Sequence, residues 1–277
     1  MTLATKNGVS VLSDHGVADL LGKMDILVSN SSDILVNANP QKEKRDLVED
    51  HQALMPTVFH VTHWKAGSQW INKILQQITQ DRIVLPQLDE KQFLDQELIS
   101  GAVYPTVYVT KEQFQSVVLP ENYRKFIIIR DLRDTLISGY YSIRYSHAVI
   151  DESLARWRER LEVMTTARIQ ESWLKAGEVC IRYEDLLSQD SEILERVLID
   201  HCELPVTSER LGEIVLANRF ENLTGGRKPG EESLLAHERK GIAGDWLNHF
   251  TPKLSDEFNK RFGDLVVAGG YSMEDTV

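Results

Sequence analysis

One short run constrains the fold more than any other segment: Phe126-Ile127-Ile128-Ile129, four apolar residues bounded by Lys125 and Arg130. A strand with one wet face alternates apolar and polar residues, whereas an unbroken apolar run belongs to a strand covered on both faces. Arg130 ends the run. Asp131 and Asp134 then favour the start of a helix through Leu136, Ile137, Tyr140 and Tyr141. The same order occurs upstream. Val58-Phe59-His60-Val61 reads as a buried strand and Lys65-Ala66-Gly67-Ser68 as a turn. Trp70, Ile71, Ile74, Leu75 and Ile78 then fall at helical spacing. Ile150, Leu154, Trp157, Leu161 and Met164 repeat at intervals of four and three, which predicts an amphipathic helix over 150–173. Val179–Tyr183 and Tyr104–Val109 are further strand candidates, and helices are expected at 190–201 and 208–218. Strands alternating with helices predict an α/β fold whose central, mainly parallel sheet is flanked by helices. Ligands of such sheets bind beyond the carboxyl ends of the strands, which selects Lys65–Trp70, Arg130–Ser138 and the residues near Tyr183.

Composition narrows the function classes. Hydrophobic residues make up 42% of 277, enough to bury a sizeable core and too many for a disordered chain. No apolar run approaches the length of a membrane span, and the first residues lack a charged start followed by an apolar stretch, so neither membrane span nor signal peptide is expected. Cys180 and Cys202 are the only cysteines, which argues against a disulfide scaffold or cysteine-based zinc site and for a cytoplasmic location. The eight histidines are scattered, so no metal site is expected. A net charge of −11 argues against a nucleic-acid partner. Residues 1–50 read as an N-terminal extension. Within it Asp25-Ile26-Leu27-Val28 and Asp33-Ile34-Leu35-Val36 flank Ser29-Asn30-Ser31-Ser32 as a hairpin would, and Gln41–His51 is a charged connector or helix. Residues 51–277 are expected to form the main domain.

Three segments carry chemistry. In His63-Trp64-Lys65-Ala66-Gly67-Ser68-Gln69-Trp70, small residues after a strand let backbone N–H groups turn around an anion. The next helix offers unpaired N–H groups, and Lys65 adds a full charge. The GxxxxGK[ST] order of a P-loop is absent, and a plain strand–helix turn with an exposed lysine explains the segment equally well on its own. In Arg130-Asp131-Leu132-Arg133-Asp134, with Ser138 two helical turns on, an arginine leaving a buried strand can fork onto a phosphate that the serine also reaches. Local pairing of the arginines with Asp131 and Asp134 is the plainer alternative. In Arg239-Lys240-Gly241-Ile242-Ala243-Gly244-Asp245-Trp246, two cations precede a glycine-rich bend, as in an anion site or an ordinary charged loop.

Taken together these segments resemble the signatures of the sulfotransferases that use 3′-phosphoadenosine 5′-phosphosulfate. The first stands as His63 to Trp70, in place of a Tyr-Pro-Lys-Ser-Gly-Thr-Thr-Trp-like loop. The second is matched by Arg130, Asp134 and Ser138, and a Tyr-Glu-Asp-Leu segment by Tyr183-Glu184-Asp185-Leu186. The Arg-Lys-Gly-x-x-Gly-Asp-Trp motif is intact from Arg239 to Trp246. The resemblance spans roughly residues 57–265 and implies a P-loop-like sulfotransferase fold, a small-molecule acceptor, the phosphosulfate as donor, adenosine 3′,5′-bisphosphate as product, and no metal. It implies that Lys65 contacts the phosphosulfate and stabilises the leaving phosphate. The loop Lys65, Ala66, Gly67, Ser68 and Gln69 would hold the 5′-phosphate. Trp70, Tyr183 and Phe220 would line the adenine. Arg130 and Ser138 would hold the 3′-phosphate with Arg239, Lys240 and Gly241.

The match departs from the family in one place that bears on mechanism. Members acting on phenols and alcohols carry a Thr-His-x-Pro segment whose histidine is the general base. Here Thr110-Lys111-Glu112-Gln113 stands there without a histidine. Glu112 or another carboxylate, or His63 or His147, is left as the base, or the acceptor needs little deprotonation. The divergence fits specialised bacterial or cyanobacterial secondary metabolism, with guanidinium alkaloids of the saxitoxin type among the acceptors. An acidic protein steers cations. The alternatives are a P-loop kinase, which lacks a metal-holding carboxylate after Ile129, and a non-catalytic nucleotide-binding protein of the same fold.

Overall fold

A computed structural model describes residues 5–6, 9–10, 55–86, 91–146 and 161–273. The chain divides into two compact units, Met1–Val48 and Glu49–Val277. In the first, Thr5–Lys6 pairs antiparallel with Val9–Ser10. The hairpin expected at 25–36 and the charged stretch at 41–51 lie outside the described residues.

The larger unit runs in chain order β1 (Thr57–Val61), α1 (Ser68–Ile78), α2 (Lys91–Asp95), β2 (Val103–Val107), α3 (Lys111–Ser116), β3 (Tyr123–Ile129), α4 (Leu132–Ser146), α5 (Leu161–Lys175), β4 (Cys180–Arg182) and α6 (Tyr183–Leu194). A π-helical segment (Glu195–His201), α7 (Ser208–Ala217), α8 (Phe220–Leu223), a 3₁₀ turn (Asp245–Asn248) and α9 (Pro252–Ala268) complete it. The four strands are parallel in the order β2-β1-β3-β4.

The apolar run at 126–129 is the centre of this sheet, and its alternation sorts the core. Phe126 and Ile128 join Val58, Ile71, Leu75, Leu186 and Leu194 on one face, under α1 and α6. Ile127 and Ile129 join Phe59, Val61, Ile169 and Trp173 on the other, under α5. Successive side chains of a strand point to opposite faces, so the run is unbroken because both faces are covered. A third cluster docks the C-terminal segment on α4: Leu132, Leu136 and Ile137 pack with Trp246, Phe250 and Phe258.

Several boundaries differ from the sequence expectations. Residues 150–160 lie outside the described part, and the helix expected over 150–173 is seen as α5, continuing to Lys175. The strand expected to reach Tyr183 ends at Arg182, and Tyr183 opens α6. That helix therefore starts well before residue 190, is broken at Gln189 (φ −134°, ψ 34°), and passes into the π segment. Asp131 is the N-cap of α4, its Oδ1 accepting the Arg133 N–H at 2.9 Å, whereas Asp134 faces away to another loop. The last helix, α9, was not anticipated. Its start is nonetheless explicit in the sequence: the Thr251 hydroxyl accepts the Leu254 N–H and Pro252 occupies the first turn.

Candidate functional site

The three motif segments meet beyond the carboxyl ends of β1, β3 and β4. After β1 the chain turns through two left-handed residues, Lys65 (φ 68°) and Gly67 (φ 82°), and enters α1. Ala66 is buried, its N–H donating to the His63 carbonyl at 3.3 Å. The Gly67 carbonyl accepts the Trp70 and Ile71 N–H groups, while those of Ser68 and Gln69 precede the first intrahelical bond and point out of the helix. The absence of a side chain at Gly67 is required: a Cβ would lie 2.7 Å from the Tyr183 ring. Trp70 meets that ring edge-on, centroids 6.3 Å apart. The Ser68 hydroxyl is buried and shares a 2.7 Å hydrogen bond with the Tyr108 hydroxyl, which in turn lies against Trp64.

Arg130, the residue that ends the central strand, joins the segments. Its Nη1 donates to the Lys65 carbonyl at 2.9 Å and its Nη2 to the Ile242 carbonyl at 3.3 Å. Its guanidinium stands 4.6 Å from the centroid of Tyr183 and 3.8 Å from the Asp134 carboxylate. Among the described residues the buried Arg130 Nε–H and Trp70 Nε1–H have no hydrogen-bond partner. Arg133, by contrast, is structural: it pairs with Asp131, covers Trp246 and donates to the Ser272 carbonyl.

The Arg239 segment is pinned from several sides. Arg239 is ion-paired with Glu232 and Asp245 and lies 4.4 Å over Tyr141, one helical turn beyond half-buried Ser138 on α4. Lys240 pairs with Asp245, whose carboxyl is held far below the usual range by these hydrogen bonds despite its burial. Gly241 (φ 64°) lies on the face of Phe220, closer than any side chain would permit. Arg227 covers Phe220 at 5.0 Å and donates to the carbonyls of Glu238 and Arg239. Asp134 accepts the Gly244 N–H at 2.7 Å and the Trp246 N–H at 3.0 Å. Burial raises its pKa, opposed by Arg130 and these two N–H groups.

In the Tyr183–Leu186 segment, only Tyr183 joins the site. The Glu184 carboxylate accepts the Asp131 N–H and the Tyr271 hydroxyl, Asp185 pairs with Arg182, and Leu186 lies in the core.

The base candidates fare unevenly. His63 is fully buried. Its Nδ1 lies 2.9 Å from the Trp64 carbonyl oxygen, and its Nε2 lies 3.0 Å from the Gln170 Oε1 and 3.3 Å from the Arg130 backbone N–H, so both ring nitrogens are engaged inside the fold. Desolvation lowers its pKa to about 4. It therefore has no free nitrogen with which to take a proton from an acceptor. The Thr110–Gln113 segment is a capping box: the Thr110 hydroxyl accepts the Gln113 N–H and the Gln113 side chain accepts the Thr110 N–H. Glu112 is exposed in that turn, its pKa lowered by its own backbone N–H and by Thr110, and Lys111 pairs with Glu178. His147 lies outside the described residues. Sequence reasoning missed Tyr108, whose only signal is its place just after β2, and, although Asp134 and Asp245 stand in the quoted motifs, it missed their roles as acidic clamps.

The sulfotransferase domain profile matches residues 55–276. The chain belongs to that family. It is accordingly an enzyme of the sulfotransferase class dependent on the phosphosulfate donor, as the motifs implied. A 3-alpha-hydroxysteroid sulfotransferase of Cavia porcellus is 25% identical over 257 residues, covering 79% of this chain and 85% of the relative. Human sulfotransferase 1C2 is 21% identical, covering 77% and 84%. Among solved structures, mouse sulfotransferase SULT7A1 complexed with PAP superposes with a TM-score of 0.57 at 19% identity, covering 78% and 87%. Retinol dehydratase in a complex with retinol and PAP gives 0.54 at 15% identity, covering 79% and 86%. The P-loop-like sulfotransferase fold is shared with both. No carboxylate stands after Ile129 where a P-loop kinase would hold its metal; Arg130 occupies that position.

Proposed function

We propose that residues 51–277 transfer a sulfonate group from 3′-phosphoadenosine 5′-phosphosulfate to a hydroxyl or amine of a small molecule, and that residues 1–50 are an extension outside this chemistry. The observation that carries the reading is Arg130. One guanidinium bonds the backbones of the Lys65 and Ile242 segments and lies over Tyr183, yet its buried Nε–H, like the Trp70 Nε1–H, has no partner among the described residues and is left for a ligand. The donor fits this site: close-packed glycines, a helix start and cations suit a ligand with phosphates at two ends and a flat base between them.

Lys65 and the N–H groups of Gly67, Ser68 and Gln69 hold the 5′ side and stabilise the charge that grows on the leaving oxygen. Arg130, Ser138, Arg239 and Lys240, with the Gly241 N–H, hold the 3′-phosphate. Trp70, Tyr183 and Phe220 enclose the base. Ala66 fills the core beneath the loop and fixes its path. The donor supplies an activated sulfonate; the chain contributes position and charge, which carry most of the catalysis in such transfers.

The chain's acidity favours a cationic acceptor, and a guanidinium alkaloid of the saxitoxin type is the first to try. Two free cysteines and a described structure without a membrane-length apolar helix accord with a cytoplasmic site of action. Adenosine 3′,5′-bisphosphate at about 100 times its Kd adds about 2.7 kcal/mol to folding. The expected rise in Tm is roughly 5–10 °C, well beyond that given by ATP. Equal shifts would favour the kinase. Lys65→Ala should abolish transfer from labelled donor with the fold retained; undiminished transfer removes Lys65 from its role.

A further inference from the structure

Two hydroxyls meet at the start of α1, and counting their protons leaves one to give. Tyr108 follows β2 directly. The parallel pairing of β1 with β2, with the Thr62 N–H donating to the Val107 carbonyl at 3.0 Å, sets it beside the loop that enters α1. There its hydroxyl lies 2.7 Å from that of Ser68, the first residue of the helix. Both residues are more than nine-tenths buried, with 8% and 5% of their surface exposed. A hydroxyl carries one O–H and can accept twice. The shared bond uses one of the two O–H groups, and the pair has no other side-chain hydrogen bond among the described residues. One O–H is therefore left over at a buried place. It stands where the Ser68 and Gln69 N–H groups also precede the first intrahelical bond.

The chemistry of the pair says which O–H that is. A phenol donates more readily than an alkyl alcohol. Burial raises the Tyr108 pKa, against the opposing bond to Ser68, so the phenol keeps its proton. Tyr108 thus donates to the Ser68 Oγ, and the Ser68 O–H is the spare one. The Tyr108 ring has its own support, since Trp64 lies against it with centroids 4.7 Å apart. The hydroxyl can be removed without removing that packing.

Building on the sulfotransferase reading, we propose that Tyr108 is a positioning residue for the donor: its hydroxyl holds Ser68 in the rotamer that turns the Ser68 O–H toward the 5′-phosphate. The charge that grows on the leaving oxygen falls at this end of the donor. An O–H fixed there in advance stabilises that charge without reorganising as it forms.

Calorimetry on the full chain with two nucleotides decides it. Adenosine 3′,5′-bisphosphate carries the 5′-phosphate and adenosine 3′-monophosphate lacks it. Tyr108→Phe should raise the Kd of the bisphosphate about 3–10-fold and leave that of the monophosphate within about twofold. Ser68→Ala should raise the bisphosphate Kd about tenfold or more, and Tyr108→Phe added to it should raise it no further. In donor turnover, Tyr108→Phe should lower kcat about tenfold and leave the acceptor's KM level. Equal weakening of both nucleotides would make the hydroxyl a support of the fold alone, and an unchanged bisphosphate Kd would mean that it does not order Ser68. Either result overturns the proposal. So does a further loss in the double variant, because Tyr108 would then reach the donor itself, and so does a change confined to the acceptor's KM. A wild-type chain that binds neither nucleotide would instead refute the sulfotransferase site, and this role with it.

Discussion

Gly67 and Tyr183 form a pair in which neither can change alone. An alanine at Gly67 meets two costs, a left-handed backbone and a ring 2.7 Å from the new carbon. Gly177 separates them: its φ is 68°, but nothing lies within 4 Å of a Cβ there. Gly177→Ala should cost about 1 kcal/mol in urea unfolding from backbone strain alone. Gly67→Ala should cost about 1–3 kcal/mol more and weaken bisphosphate binding, because Tyr183 or the loop must move. Equal costs would mean that the ring yields freely. The two buried histidines give a second prediction. Desolvation lowers the pKa of His60 and of His63 from 6.5 to about 4. As pH falls below 6.5 the unfolded chain binds protons that the folded chain refuses, so stability is lost down to pH 4 and not further from this source. Each histidine is worth about 3 kcal/mol over that window. Urea midpoints should fall steeply from pH 7 to 4, and His60→Gln should flatten the slope; the same slope in both proteins would show that His60 is protonated inside the fold.

Among the elements, the contact between α4 and the loop before α9 has the most leverage on the site. The Asp134 carboxylate is the acceptor for two backbone N–H groups of that loop, and the residues it orders follow Arg239 and Lys240 directly. Asp134→Ala leaves the Gly244 and Trp246 N–H groups without their acceptor, at a cost of about 1–3 kcal/mol each. The Kd for the bisphosphate, measured by calorimetry, should rise about 10–100-fold, since the loop must be ordered at binding. An unaltered Kd would show that the Phe220 and Trp246 packing holds the loop unaided. This clamp also marks where sequence reading stops. The run 126–129 announced a two-sided sheet, because burial on both faces leaves a local trace in four consecutive residues. The Arg239–Trp246 motif was equally legible, since its residue types are adjacent. The partnership of Asp134 with Gly244 spans 110 positions and leaves no local sign. The segment in fact suggested a plainer role for that aspartate, as a helix-start charge. Tyr108 was missed for the same reason: its bond to Ser68 joins the loop after β2 to the first residue of α1, brought together only by the pairing of β1 with β2. The start of α6 at Tyr183 was hidden by the apolar Val179–Tyr183 stretch, which reads as a continuing strand.

At the scale of the whole molecule, the charge distribution sets two opposed tasks. In the proposed site the donor, an anion, is met by Lys65, Arg130, Arg239 and Lys240, while the chain as a whole carries −11. Within the site, Asp245 and Glu232 already pair with Arg239, and Asp245 with Lys240. Arg239 and Lys240 are thus preassembled against Asp245 and Glu232, and in the proposed site an arriving phosphate meets these two groups already positioned. On the proposed reading, the net charge of −11 repels anionic acceptors and draws cationic ones at long range. Salt separates this steering from the local grip, because charges more than about 10 Å apart are screened at 0.1 M ionic strength while close pairs are not. With donor saturating, kcat/KM for a guanidinium acceptor should fall about tenfold between 10 and 150 mM salt. For an uncharged alcohol of similar size it should stay level, and for a carboxylate-bearing acceptor it should rise. If all three respond alike, the acidic surface has no part in selecting the acceptor. The guanidinium class then loses its support, while the proposed donor site, which rests on short contacts around Arg130, is untouched.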